Sequence, residues 1–305
     1  MARQPFLPET YLVHDALKYA LDGAIALGQP LLLTGEPGTG KTKLAYWAAD
    51  YLAKKSTGDF HPEPLVFNTK STSAARDLFY GYDALSHYQA ANLRQDTIAE
   101  TANFIELHAL GKAIAMTDPK GIDHTKFSTK LPAKPTNSVV LIDEVDKAPR
   151  DFTNDLLDEI ENLRFSIREQ DNYRISSAKG SKVVVILTSN SEKNLPDAFL
   201  RRCAFYHIPF PDETALRNIV RLQLGTDTPF TDEALVDIVK LFLDIRSNSV
   251  RKKPATAELI GWLRLLGING YFSVNEARKK EILLHNLSFL VKTTEDLDAI
   301  RRMFA

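Results

Sequence analysis

Leu31-Leu32-Leu33-Thr34-Gly35-Glu36-Pro37-Gly38-Thr39-Gly40-Lys41-Thr42 is the stretch that decides the fold. The apolar run predicts a short buried strand. Gly35 to Thr42 matches the spacing G-x-x-x-x-G-K-[ST] in full, and a helical stretch follows from Lys41 to Ala53. Strand, glycine-rich loop and helix in that order make a phosphate cradle. The glycines let backbone N–H groups turn inward, and the helix N-terminus adds the positive end of its dipole. Lys41 is expected to reach the β- and γ-phosphates of a nucleoside triphosphate, and Thr42 to set its hydroxyl on Mg²⁺. Glu36, Pro37, Gly38, Thr39, Gly40 and Lys43 complete the expected nucleotide-binding set. The competing reading, a glycine-rich turn with no ligand, leaves the strand and helix around it unexplained.

A second apolar run, Val139-Val140-Leu141-Ile142, ends in Asp143-Glu144. A buried strand that delivers acids at its C-terminal end places them in the crevice where α/β sheets bind ligands. Asp143 is the candidate to hold Mg²⁺ through its water shell, and Glu144 to orient and activate the attacking water. Successive side chains of an extended strand point to opposite faces, so only one acid need approach the metal. A third apolar run, Val183 to Leu187, leads to Thr188-Ser189-Asn190. Asn190 either aligns the water or γ-phosphate or caps a turn. Arg201-Arg202-Cys203 follows a short helix at Asp197 to Leu200. The arginines are either a solvated face or a source of positive charge for γ-phosphate oxygens; were they aimed at another subunit's nucleotide, the active form would have to be an oligomer. Arg251-Lys252-Lys253 before Pro254 is either a solvated linker or a basic cluster facing the nucleotide.

Strands alternating with helices predict a parallel sheet with helices on both faces: a three-layer α/β core. Val13 to Leu27 reads as its first helix, Leu65 to Phe67 as a weak strand, and Ser71 to Phe79 as a short helix. Tyr80 to Gln95 is expected to be irregular and Ile98 to Ile114 helical. Asp118 to Asn137, with three prolines, reads as a mobile surface loop. Asp151 to Leu163 is expected to be helical, and Arg164 to Ile175 alternates around a polar turn like a hairpin. Near Pro209-Phe210-Pro211 the pattern turns all-helical, dividing the chain into residues 1–210 and 211–305. Asp212 and Thr231 are expected N-caps, Gly267 the stop of a helix from Thr256, and Asn275 the start of a fourth helix that includes Leu290.

The 305 residues carry a formal net charge of -1, which offers no global field for a nucleic acid and leaves only a local basic patch open. The single cysteine, Cys203, can form no intrachain disulfide; beside the arginine pair it reads as small-residue packing. His87, His108, His124, His207 and His285 fall in no metal-ligand spacing. With no basic-then-apolar leader pattern and no apolar run long enough to span a bilayer, a cytoplasmic location is expected.

The series of phosphate loop, Leu141-Ile142-Asp143-Glu144-Val145-Asp146-Lys147-Ala148, Thr188-Ser189-Asn190, Leu200-Arg201-Arg202-Cys203 and helical tail resembles the AAA+ ATPases, specifically the MoxR-like branch. Arg251-Lys252-Lys253-Pro254 followed by Glu258-Leu259-Ile260-Gly261-Trp262-Leu263 is similar to one bacterial subgroup of that branch. The resemblance covers nearly the whole chain and implies Mg²⁺-dependent ATP hydrolysis, with ATP between the core and a helical lid. It implies that Asn190 is the sensor-1 residue and Arg202, with Arg201 close behind, the finger acting in trans on a neighbour's γ-phosphate. Leu12 and Val13 would lie near the adenine. Tyr80 to Gln95 would be a helix-2 insert and Arg164 to Ile175 the pre-sensor-1 hairpin. The branch implies a homo-hexameric ring that remodels or activates a protein client, often a von Willebrand factor A domain protein. A nucleic-acid-associated motor of a restriction or conflict system is the alternative. The chain departs from the family near Ala257, where the usual sensor-2 arginine is missing and Lys253 or Lys252 is the expected substitute, and in the length of Asp118 to Asn137.

Overall fold

The computed structural model describes residues 7–56, 59–93, 100–191, 195–225 and 230–304. Its contacts divide the chain into two units: Val13–Gly35 with Lys41–His207, and Met1–Leu12 with Glu36–Gly40 and Ile208–Ala305.

The first unit is built on a five-stranded sheet. Its strands are β1 (Leu31–Gly35), β2 (Leu65–Asn68), β5 (Ser138–Asp143), β8 (Val183–Thr188) and β9 (Ala204–Ile208), in the order β2-β5-β8-β1-β9. The pairings β2–β5, β5–β8 and β1–β8 are parallel, with Val140 beside Val185 and Leu32 beside Leu187. β1 is buried throughout, as are the first five residues of β5, so these strands read as unbroken apolar runs rather than alternating ones. One face, carrying Leu32, Val140, Ile142, Val185 and Leu187, packs into a core with Leu110 and Ile114 of α4 (Ala109–Met116) and with Phe152 and Leu156 of α5 (Arg150–Asn162). By strand alternation Leu31, Leu33, Leu141 and Ile186 face the other way. They too are fully buried, and α2 (Lys41–Lys55), with Leu44, Ala45 and Ala48 buried, lies against β1, β5 and β8. The result is the expected three-layer core. α1 (Asp15–Leu27) precedes β1 and ends on left-handed Gly28.

Several local expectations are corrected. Ser71 to Phe79 contains only a 3-10 turn at Ala75–Leu78. The stretch expected to be irregular is β3 (Tyr80–Tyr82) followed by α3 (Ala84–Leu93); its remainder, 94–95, lies outside the described residues. The helix expected from Ile98, itself outside them, is instead a 3-10 turn, then β4 (Ile105–Leu107), which pairs antiparallel with β3, then α4. Non-local pairing overrides the local pattern there, since strands of three residues carry no readable period. The long segment from Asp118 is tethered at several points. Ser128 N–H donates to Ile105 O, the Thr129 hydroxyl accepts from Leu107 N–H, the Tyr173 hydroxyl accepts from Asp123 N–H, and Phe127 is buried. The hairpin forms as read: β6 (Arg164–Ile167) pairs antiparallel with β7 (Tyr173–Ser176), turning through Asp171 and Asn172 at positive φ.

The second unit is helical: α7 (Glu213–Leu224), α8 (Asp232–Asn248), α9 (Thr256–Ile268), α10 (Glu276–Asn286) and α11 (Thr294–Met303). The expected caps Asp212 and Thr231 accept backbone N–H groups, as does Asn275 ahead of α10, and Leu235, Ile238, Val239, Phe242 and Ile245 pack with Leu259, Trp262 and Leu263. Gly267 does not stop α9, which runs on to Ile268; the left-handed turn falls at Gly270. Leu290 lies beyond α10, and α11 was not expected from the sequence.

Candidate active site

The acidic strand end gathers a cluster of hydrogen-bonded polar groups. Asp143, the last residue of β5, accepts on Oδ1 from Thr42 Oγ1 at 2.9 Å and from Thr188 Oγ1 at 2.6 Å. Thr188 ends β8 and its hydroxyl also accepts the Glu144 N–H at 2.8 Å. Parallel register makes this meeting inevitable: Ile142 lies beside Leu187, so the next residue of each strand reaches the same sheet edge. Glu144 then leaves the strand at φ 55, a left-handed conformation that costs a non-glycine residue roughly 1–2 kcal/mol. That turn brings its carboxylate to Asn190, whose Nδ2 is 3.4 Å from Oε1, and to Lys147, which pairs with Oε2. The Asn190 N–H also reaches Asp146 Oδ1 at 3.3 Å. Glu144 raises the Lys147 ammonium above the ordinary lysine range, chiefly through this hydrogen bond.

Lys41 is buried, and its Nζ donates to Gly35 O at 2.8 Å across the base of the loop. A hydroxyl and a carboxylate in contact, Thr42 and Asp143, are hard oxygen donors of the kind Mg²⁺ takes. Among the described residues no group of three or more His, Cys, Asp or Glu side chains forms a metal cage.

Within the helical unit, two glycines of the loop crest lie close against neighbouring side chains. Gly38 and Gly40 have φ of 78 and 89, and a Cβ on either would come within 2.9 Å of Ala255 Cβ or Tyr11 Cε2 respectively. Only glycine serves at both places. Thr39 folds back, its hydroxyl donating to Glu36 O at 2.8 Å. Leu12 and Val13 are both half-buried; Leu12 belongs to the helical unit and Val13 to the sheet unit.

The expected arginine pair and lid lysines are exposed. Arg201 and Arg202 are exposed at the end of α6 (Asp197–Leu200), with Arg202 Nε 3.9 Å from Glu161 Oε2. Lys252 and Lys253 are exposed. The basic side chain on the loop crest is one the sequence reading missed: Arg246, buried in α8, pairs with Glu36. Its signal was a charged residue next to Ile245 and four after Phe242, on the inner side of an apolar stripe. Burial pushes the Cys203 thiol up to about 12, which keeps it protonated and fits packing rather than nucleophilic chemistry.

A family model described as an AAA domain of the dynein-related subfamily matches residues 30–203. The chain belongs to this family. It is an ATP-hydrolysing AAA domain of the AAA+ type, and such domains typically bind ATP with Mg²⁺. No curated protein sequence matches the chain. Among solved structures, a proline-to-glycine mutant of Thermotoga maritima RuvB is 16% identical, over 94% of this chain and 73% of that one, with a TM-score of 0.50. A threonine-to-valine mutant of the same protein is 17% identical over 92% and 69%, TM-score 0.47. The AAA domain of FIGL-1 in complex with ADP is 16% identical over 95% and 87%, TM-score 0.48. At these identities the similarity speaks to the fold of the AAA domain alone. No helix among the described residues is long and apolar enough to cross a membrane.

Proposed function

We propose that this AAA domain hydrolyses ATP at the Asp143–Glu144 strand end and works as an oligomer that remodels a protein client. The observation that carries the reading is the convergence of Thr42, Asp143 and Thr188 in one hydrogen-bonded cluster, with Glu144 turned at positive φ beside Asn190. Thr42 and Asp143 would hold Mg²⁺, directly and through water; the ion supplies neutralisation of charge on the β- and γ-phosphate oxygens. The loop from Gly35 to Lys43 would hold the triphosphate, with Lys41 leaving Gly35 O for phosphate oxygens, and Leu12 and Val13 would border the base. Glu144 accepts a proton from the attacking water as the bond from the γ-phosphorus to the bridging oxygen breaks, giving ADP and phosphate. Asn190 aligns that water. Arg202, or Arg201 beside it, is exposed as a finger for a neighbour's nucleotide must be.

In this proposal residues 1–210 form the nucleotide-binding core and 211–305 the lid, where Lys253 remains a candidate for nucleotide contact. Tyr80 to Gln95 and the Arg164 to Ile175 hairpin are the parts that meet the client. The Asp143 to Ala148 and lid motifs support a MoxR-like assignment, a homo-hexameric ring, a cytoplasmic setting and a von Willebrand factor A domain client. Turnover assayed over a dilution series tests the trans arginine: activity should fall as the oligomer dissociates, and constant activity in a monomer would refute it.

The fold similarity to RuvB at a TM-score of 0.50 favours attention to a second reading, a nucleic-acid-associated motor of a restriction or conflict system. Phosphate release measured with and without DNA or RNA separates the two. Strong stimulation selects the motor, whereas capture of a protein client by the Glu144→Gln variant selects the remodeller.

A further inference from the structure

Glu36 is the one acid in the expected nucleotide-binding loop from Gly35 to Lys43. It puts a half-exposed carboxylate on a loop read as receiving a polyanion, and like charges brought close together repel even at a protein surface. Arg246 meets that charge. It is 8% exposed and held on three sides: Nη1 donates to Pro254 O at 2.6 Å, the guanidinium carbon lies 3.5 Å from the centroid of the Phe210 ring, and Nη2 pairs with Glu36 Oε2. A buried guanidinium is costly unless its fork is satisfied, and a planar fork fixed by a carbonyl and an aromatic face has its remaining direction set. That direction is Glu36. Glu36 in turn carries the loop crest, because its carbonyl accepts both the Thr39 hydroxyl at 2.8 Å and the Thr39 N–H at 3.4 Å.

We propose that Arg246 is a positioning residue for the phosphate loop, neutralising Glu36 and fixing the crest from Glu36 to Gly40 so that its amides are ready for a triphosphate. The inference rests on reading this loop as the phosphate site. It assigns the loop-facing cation to α8, a helix earlier than the position where the family's usual arginine is missing.

A double-mutant cycle tests it, with ATP and Mg²⁺ titrated calorimetrically into the full-length chain. Arg246→Met should raise Kd about tenfold in the native background but less than about threefold in the Glu36→Gln background, because the charge needing neutralisation is gone. The loss should appear in Kd and KM rather than in kcat. Equal losses in both backgrounds, or a loss confined to kcat, would overturn the proposal, since a purely structural role at Pro254 and Phe210 is not relieved by changing Glu36. Should Arg246→Met melt too low to assay, Arg246→Lys keeps the charge without the fork. It should show a smaller Kd increase that the Glu36→Gln background again removes, and an increase that persists there sinks the idea. Absence of binding heat in the native protein would instead refute the phosphate-site reading itself.

Discussion

Asp143 and Asp296 each gather several hydrogen-bond donors, yet the donors differ in kind. Asp296, buried at the start of α11, accepts the backbone N–H groups of Val250, Arg251 and Lys252 and the Thr293 hydroxyl. Burial pushes its carboxyl up, but those N–H groups and the hydroxyl outweigh it and hold the group down at about 2. Main-chain donors cannot turn away, so Asp296 is locked into fastening the segment ahead of α9. Asp143 is met by two threonine hydroxyls, whose protons can turn onto another acceptor even though the Thr188 oxygen also accepts the Glu144 N–H. A carboxylate whose partners can be exchanged is suited to a metal; one tied to fixed amides is suited to a scaffold.

The largest effect expected is chemical and belongs to the first region. Glu144→Gln should lower kcat by roughly 10²–10⁴-fold while ATP still binds. Equal phosphate release by the variant and the native protein would remove Glu144 as the base. Next comes the scaffold: Asp296→Ala should cost about 3 kcal/mol, because three amides and a hydroxyl lose a charged acceptor in a buried place. Denaturant unfolding measures it, and a loss under about 0.5 kcal/mol would mean that water replaces the carboxylate there. Asp143→Asn should leave stability nearly unchanged and shift the Mg²⁺ concentration for half-maximal turnover upward by about tenfold. If the two aspartate variants exchanged phenotypes, the contrast between fixed and exchangeable donors would be wrong.

Acid sharpens the same contrast. The Asp296 carboxyl titrates near 2 in the folded protein against an ordinary 3.8, so it contributes stability above that ordinary value. The contribution fades as pH falls from about 4 towards 2. Asp296→Ala should therefore flatten the acid limb of unfolding free energy against pH, and an unchanged limb would show that other carboxyls govern it.

The parts legible in the sequence were those whose signal is local. β1, β5 and β8 announce themselves because burial on both faces leaves unbroken apolar runs, and the phosphate loop and acid pair sit at their ends. α8 was legible from its stripe. β3 and β4 were not, because three-residue strands pair across 25 or so positions and Ile105 to Leu107 sits beside a helical pattern. The Asp296 cluster was hidden because its amide partners lie 44 to 46 residues away, and backbone donors carry no residue-type signal. Arg246 was visible only as one charge beside an apolar stripe, and its reach to Glu36 spans 210 residues.

The smallest effect concerns Lys147. Its ammonium pairs with Glu144, the proposed base, and both groups are well exposed. An ion pair in that setting is weak, screened and readily exchanged, which suits a residue that must let go for each turnover. Lys147→Met should raise basal kcat by a few-fold, about two to five, because the proposed base then has no ion pair to break before it meets water. Higher salt should raise the native rate toward that of the variant, since screening weakens the same pair. A fall in kcat for Lys147→Met, with ATP binding intact, would show instead that Lys147 holds Glu144 in its working orientation, and Glu144 would then join Asp296 among the carboxylates that need a fixed partner.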